Sequence, residues 1–124
     1  MQKVNSNEAP AAIGPYSHAY ITYNGLIFTS GQIPANPDGS PMAEGIEAQA
    51  EQSCRNVGAV LKAAGSDFGK VVKTTCFLAD MADFAAFNAV YARHFPGNPA
   101  RSCVQAAALP KGALVEIEVV ASLG

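Results

Sequence analysis

Positive charge is scarce in this chain. Eight Lys and Arg are scattered over 124 residues against ten Asp and Glu, giving a net charge of −2 with His neutral. No basic block exists to neutralise a run of phosphates, so nucleic acid is not an expected partner. Cysteine is sparse too. Cys54, Cys76 and Cys103 form an odd, widely spaced set, which speaks against a disulfide framework and against a zinc site. His18 and His94 have no Cys or His neighbour at ligand spacing. No metal is expected, and no Gly-rich phosphate loop is present. Apolar runs reach strand length and stop far short of a membrane span. Residues Met1 to Glu8 lack the apolar stretch of a secretion signal. These absences lead to the expectation of a soluble, cytoplasmic protein.

What is present is apolar. Hydrophobic residues make up 49% of the chain and charged ones 15%, enough for a real core and unlike a disordered segment. The length fits one domain, residues 1–124. Residues 2 to 5 suit a short edge strand, and residues 7 to 16, with Pro10, Gly14 and Pro15, read as loop. Residues 17 to 23 and 26 to 30 are strand-like and flank Asn24-Gly25. That dipeptide is the strongest short-range hairpin signal, with both turn residues expected at φ > 0. Asn36 to Pro41 reads as a surface turn.

From Ile46 the period becomes helical. Ile46, Ala50, Cys54, Val57, Leu61 and Ala64 share one face, charged residues take the other, and Gly65 suits the C′ position. Val71 to Leu78 is apolar on both faces, so both should be covered. Asp83 is placed to cap a second helix, whose Phe84, Phe87, Tyr91 and Phe95 form an aromatic stripe read as core. Residues 101 to 108 and 114 to 122 read as a hairpin turning through Leu109-Pro110-Lys111-Gly112. The order β-β-(β)-α-β-α-β-β predicts an α+β fold: one mixed sheet of about five or six strands with two helices on one face. The other face keeps apolar residues, and its simplest cover is another copy of the chain.

Charge inside apolar strands is costly unless a partner or ligand compensates it. Arg101 heads one such strand, and Glu116 and Glu118 share a face of the next. Arg101 is suited to gripping a carboxylate bidentately; the alternative is an internal ion pair with Glu116 or Glu118. A carboxylate in a wet cleft can act as a general base on water; the alternative is a solvated strand face. In a hairpin pivoting near Lys111, Glu116 falls opposite Ala106, leaving Arg101 roughly 17 Å away at ~3.4 Å per residue. Both side chains then meet one ligand only if the hairpin is strongly bent, or if Arg101 meets a neighbouring subunit's Glu116.

Other candidates carry weaker signals. Cys103 has no His near it in sequence, and a lone Cys in an apolar strand is usually inert packing. Ser30-Gly31 ends a strand where glycine lets a ligand approach backbone N–H groups. Tyr16 follows Gly14-Pro15, so it either contacts a ligand or fills space. Asn88 lies on the stripe of the second helix, where a buried amide must be paired.

Taken together, six pieces in order resemble the RidA family, also called YjgF/YER057c/UK114. They are Ala11 to Tyr16, Thr29 to Pro34, Val72 to Thr75, Asp83-Phe84 with Asn88 and Tyr91, Pro99 to Val104, and Val115 to Glu118. The resemblance spans nearly the whole chain. It implies a chorismate-mutase-like α+β fold and a homotrimer with clefts between subunits. It implies hydrolysis of reactive 2-imino acids and their enamine tautomers, such as 2-iminobutanoate and 2-iminopropanoate, to 2-keto acids and ammonia, without a cofactor. Carried over by position, Arg101 grips the substrate carboxylate and Glu116 activates water. Tyr16, Ser30, Asn88 and the backbone near Gly31 and Cys103 complete the pocket. The segment Phe95 to Pro99 looks shorter than in many members, a departure beside Arg101 that bears on substrate range.

Two other functions compete. A non-catalytic trimer that binds small metabolites, or acts as a regulator or chaperone, would use Arg101 without needing Glu116. An RNA-directed activity, proposed for relatives, runs against the acidic balance.

Overall fold

The computed structural model describes residues 1–124. Six strands form one mixed sheet: β1 (Gln2–Val4), β2 (Ala19–Ile21), β3 (Leu26–Thr29), β4 (Val71–Leu78), β5 (Ala100–Gln105) and β6 (Val115–Ser122). Helices α1 (Ile46–Ala63) and α2 (Phe84–His94) complete the α+β fold. The strand order is β1-β2-β3-β6-β4-β5, with β4 and β5 parallel and the other pairs antiparallel. No helix is long and apolar enough to cross a membrane.

Local chemistry sets the elements. α1 buries Ala50, Cys54, Val57 and Leu61 and closes on Gly65 at φ 84°. There Gly65 N–H donates to Lys62 and Ser66 N–H to Leu61, the paired bonds of a Schellman motif. The β2–β3 turn differs from expectation. Only Gly25 has positive φ, and Gly25 N–H donates to the Thr22 carbonyl at 3.0 Å. The turn is thus a β-turn over residues 22–25 with glycine at its left-handed position. Asp83 precedes α2 without a side-chain cap; Asp80 caps the preceding 3-10 turn by accepting from Ala82 N–H at 2.8 Å.

The expected β5–β6 hairpin does not form. β4 lies between the two strands, with Cys76 opposite both Cys103 of β5 and Ile117 of β6. α2 acts as the crossover of a β-α-β unit and returns the chain parallel to β4. The connection after β5 then passes the end of β4. It is stitched there by Ala106 N–H to the Leu78 carbonyl and Ala79 N–H to the Leu114 carbonyl.

The helices cover one face of the sheet, and 22 buried residues fill the space between. Val115, Ile117, Val119 and Ala121 of β6 all point into it. This chain leaves the second face of the sheet open. Tyr20, Phe28, Val72 and Val104 are 38%, 46%, 49% and 48% exposed there.

Candidate functional site

Arg101 and Glu116 stand on opposite faces of the sheet. Arg101 pairs in register with Thr74, a buried residue whose hydroxyl shares a 2.8 Å hydrogen bond with Tyr91 of α2. Arg101 therefore points to the helix side. Glu116 pairs with Phe77, between the core residues Val115 and Ile117, so it points to the open side. The 17 Å separation within one hairpin is thereby replaced by separation across β4.

The guanidinium is held without a carboxylate partner. Its Nη1 donates to Asn88 Oδ1 at 2.7 Å, and its carbon lies 4.8 Å from the Tyr91 ring centre and 5.4 Å from that of Phe84. Ion pairs occur elsewhere, at Arg55–Glu51, Arg93–Glu51 and Lys62–Glu8, and the His94 ring lies 2.9 Å from Glu51 Oε1. Neither Glu116 nor Glu118 pairs with Arg101. The aromatic stripe thus does two jobs: Phe87 and Phe95 are core, while Phe84 and Tyr91 flank the arginine. Arg101, Asn88, Tyr91 and Pro99 line a recess of about 290 Å³. Asn98 stands at its rim with φ 49°.

Glu116 lies in a separate cavity of about 570 Å³ that also holds Tyr16, Ser30 and Gly31. Burial pushes its carboxyl above the usual range, and the neighbouring Glu118 charge adds to this. The main chain of Gly31 packs directly under the carboxylate, and a Cβ there would lie 2.8 Å from Glu116 Cδ. The next residue, Gln32, bridges to Ile117 through N–H to carbonyl bonds of 2.8 and 3.1 Å. The Ser30 hydroxyl donates to the Ser17 carbonyl at 2.6 Å, leaving its lone pairs for an incoming donor. Tyr16 is half exposed at the mouth.

Six of the seven residues singled out from sequence fall into two groups. Tyr16, Ser30, Gly31 and Glu116 share the cavity; Asn88 and Arg101 share the recess. Cys103 faces the helix side opposite Cys76, and burial pushes its thiol up, partly opposed by Arg101. Cys76 is pushed up to about 12, again by burial. Neither thiol is set up as a nucleophile. No group of three or more His, Cys, Asp and Glu side chains is placed to hold a metal ion.

Sequence reasoning did not single out His18, Gln32 or Lys111 for this cavity, yet all three line it. Lys111 adopts φ 57° between Pro110 and Gly112, at the tip first taken as a hairpin turn. The Pro-Lys-Gly sequence signals a turn but not positive φ at the lysine, since that region favours Gly, Asn and Asp.

A single mixed six-stranded sheet with two helices on one face defines the class as α+β. The family description "Endoribonuclease L-PSP" matches residues 6–123. A mouse protein named 2-iminobutanoate/2-iminopropanoate deaminase is 47% identical over 123 residues, covering 98% of this chain and 90% of the relative. Reactive Intermediate Deaminase A of Arabidopsis thaliana is 50% identical over 122 residues, covering 97% and 65%. The crystal structure of Escherichia coli TdcF with bound serine superposes with a TM-score of 0.92 at 40% identity, covering 98% of each chain. The chain belongs to this L-PSP family, the RidA (YjgF) family.

Proposed function

We propose that this protein hydrolyses 2-imino acids of the 2-iminobutanoate and 2-iminopropanoate class, and their enamine tautomers, to 2-keto acids and ammonia. The observation that carries this reading is the pair of unpaired charges: Arg101 braced by Asn88 but lacking a carboxylate, and Glu116 desolvated over Gly31. The deaminase names of relatives at 47% and 50% identity support it.

The chemistry asks little of the protein. Arg101 grips the substrate carboxylate. Ionised Glu116 takes a proton from a bound water as its oxygen bonds to C2 and the C=N π electrons move to nitrogen. The resulting carbinolamine receives the Glu116 proton on its nitrogen. The C–N bond then breaks as the hydroxyl passes its proton to the nitrogen by way of Glu116, C=O forms, and ammonia leaves. The imine carbon is already electrophilic, so positioning supplies much of the acceleration.

Two side chains on opposite faces reach one substrate only if a second chain brings its arginine recess to the first chain's cavity. We infer a cytoplasmic homotrimer with three such clefts, its contacts using the open sheet face where Phe28, Val72 and Val104 are exposed.

The test is complementation. In a threonine-dehydratase-coupled assay, Arg101→Ala and Glu116→Ala should each abolish acceleration of imine loss. Unfolded together and refolded as a mixture, they should regain about a quarter of wild-type activity, because each shared cleft draws one intact residue from each of two randomly chosen chains. No regain would refute shared clefts. Wild-type protein that fails to accelerate imine loss would refute the activity. A purely ligand-binding trimer would show binding through Arg101 and indifference to Glu116.

A further inference from the structure

We propose that His18 is a positioning residue for the Glu116 cavity: its neutral imidazole ties Ser6 and Pro10 together and so fixes the wall that carries Tyr16. This inference rests on the reading of that cavity as the reaction site.

His18 is 2% exposed and directly precedes β2. Its main chain is already committed. Its N–H donates to Asn5 Oδ1 at 3.1 Å, and its carbonyl accepts from Ser30 N–H at 2.8 Å. The ring then reaches across the loop that leads from β1. Nδ1 lies 2.9 Å from Ser6 N, and a backbone N–H can only donate, so Nδ1 is the acceptor. The ring proton therefore sits on Nε2, which donates to the Pro10 carbonyl at 2.7 Å. One buried ring satisfies a donor and an acceptor of the same loop, four residues apart.

Besides the ring, few bonds hold the wall this loop forms: Tyr16 N–H donates to the Gly14 carbonyl at 2.9 Å, Glu8 N–H to Ser6 Oγ at 3.1 Å, and the Ser30 hydroxyl to the Ser17 carbonyl at 2.6 Å. Ile13 and Tyr16 line the cavity yet are 81% and 51% exposed. The Lys62–Glu8 contact, at 3.3 Å, lies between exposed side chains and contributes little. Ala9 is buried and anchors the loop by its methyl group. The Pro10 arm of His18 adjoins the lining residues Pro10 and Ala11 directly; the Ser6 arm acts further back.

The two arms can be separated. His18→Gln keeps a donor at the Nε2 position, and His18→Asn keeps an acceptor at the Nδ1 position. The expected result is that His18→Gln holds kcat/KM within about 3-fold of wild type, whereas His18→Asn loses about 10-fold, mostly in KM, since the wall shapes binding rather than the reacting atoms. Amide hydrogen exchange over residues 11–17 should accelerate in His18→Asn and not in His18→Gln. Equal behaviour of the two variants overturns the proposal. Imidazole ¹⁵N spectra of the unmodified protein provide a check without any variant: the proton belongs on Nε2, and finding it on Nδ1 also overturns the proposal. Exchange and spectra are read without turnover. Absence of imine hydrolysis by wild type would therefore refute the functional reading while leaving the role of His18 in the wall separately decided.

Discussion

Replacing Gly31 by alanine tests the site with a single methyl group. A Cβ at Gly31 would lie 2.8 Å from Glu116 Cδ and 2.9 Å from Cγ. Ordinary carbon–carbon contact is about 3.5–4.0 Å, so the carboxylate must retreat by roughly 1 Å. A general base moved by about 1 Å from a bound water costs on the order of 10²-fold in rate, equivalent to ~2.7 kcal/mol. Stability should barely respond. Gly31 is not among the residues at positive φ, so alanine fits its backbone. Alanine then gains about 0.4–1 kcal/mol by restricting the unfolded chain, against about 0.5–1.5 kcal/mol for pushing a half-buried glutamate off its rotamer. The two nearly cancel, and Tm should stay within about 4 °C.

The assay is dehydratase-coupled imine loss for Gly31→Ala, Glu116→Gln and the double variant, each with a melting curve. If the methyl acts only by displacing the carboxylate, the double variant is no slower than Glu116→Gln alone. Gly31→Ala with kcat/KM within about 3-fold of wild type would refute the role given to Glu116 over Gly31. A drop in Tm by more than 10 °C would show that the glutamate cannot yield as supposed.

Arg101→Lys keeps the charge but loses the fork, and should raise KM for imino acids at least about 10-fold; Asn88→Ala, which only frees the guanidinium, should cost less, measured in the same assay. Cys103→Ala should leave kcat within about 3-fold, since burial disfavours the thiolate; a loss of several orders of magnitude would put the sulfur back into the mechanism. Glu116 makes both activity and stability depend on pH. Its folded-state carboxyl is raised above the ordinary 4.5, by burial first and Glu118 second. Activity should therefore fall on acidification through a limb above 4.5, and Glu118→Gln should move that limb to lower pH. For stability, the native state holds its proton more tightly, so this group favours folding below 4.5 and loses that contribution as pH rises through the raised value. Melting curves of Glu116→Gln should accordingly show a gain over wild type that grows with pH across that window.

Much of the fold was legible because each element announces itself locally. The apolar face of α1 and the glycine that closes it are local signals, and so are the bounds of β4 at Val71 and Leu78. Strand partnership is not local. Leu109-Pro110-Lys111-Gly112 looks like a hairpin turn, and in the fold Pro110–Gly112 does form a 3-10 turn. It lies, however, in a connection long enough to carry the chain past β4. The competing signal was the order strand, helix, strand from β4 to β5, which favours a parallel crossover. Giving that signal more weight would have placed β6 on the other side of β4. Asp83 does occupy the N-cap position of α2, but its side chain makes no capping bond there; the aspartate that bonds is Asp80, which caps the 3-10 turn before the helix, and only the geometry of that turn tells the two apart.

The misplaced hairpin also hid why the two charges are affordable. Within a hairpin, Arg101 and Glu116 had to be either partners or distant neighbours on one ribbon. With β4 between them, parity decides. Arg101 and Cys103 alternate with Ser102, Glu116 and Glu118 alternate with Ile117, and the register through Thr74 and Phe77 puts the arginine on the helix side and the glutamates on the open side. A sheet separates the charges, so they cannot neutralise each other within one chain. Arg101 is instead compensated by an amide oxygen and two ring faces, and Glu116 by partial exposure and a raised proton affinity. Both compensations are incomplete, leaving a cation able to accept a carboxylate and a base able to accept a proton. If one substrate engages both, its two ends must be contacted from different chains. Activity should then depend on protein concentration wherever assembly does, even for a chain whose own fold is intact.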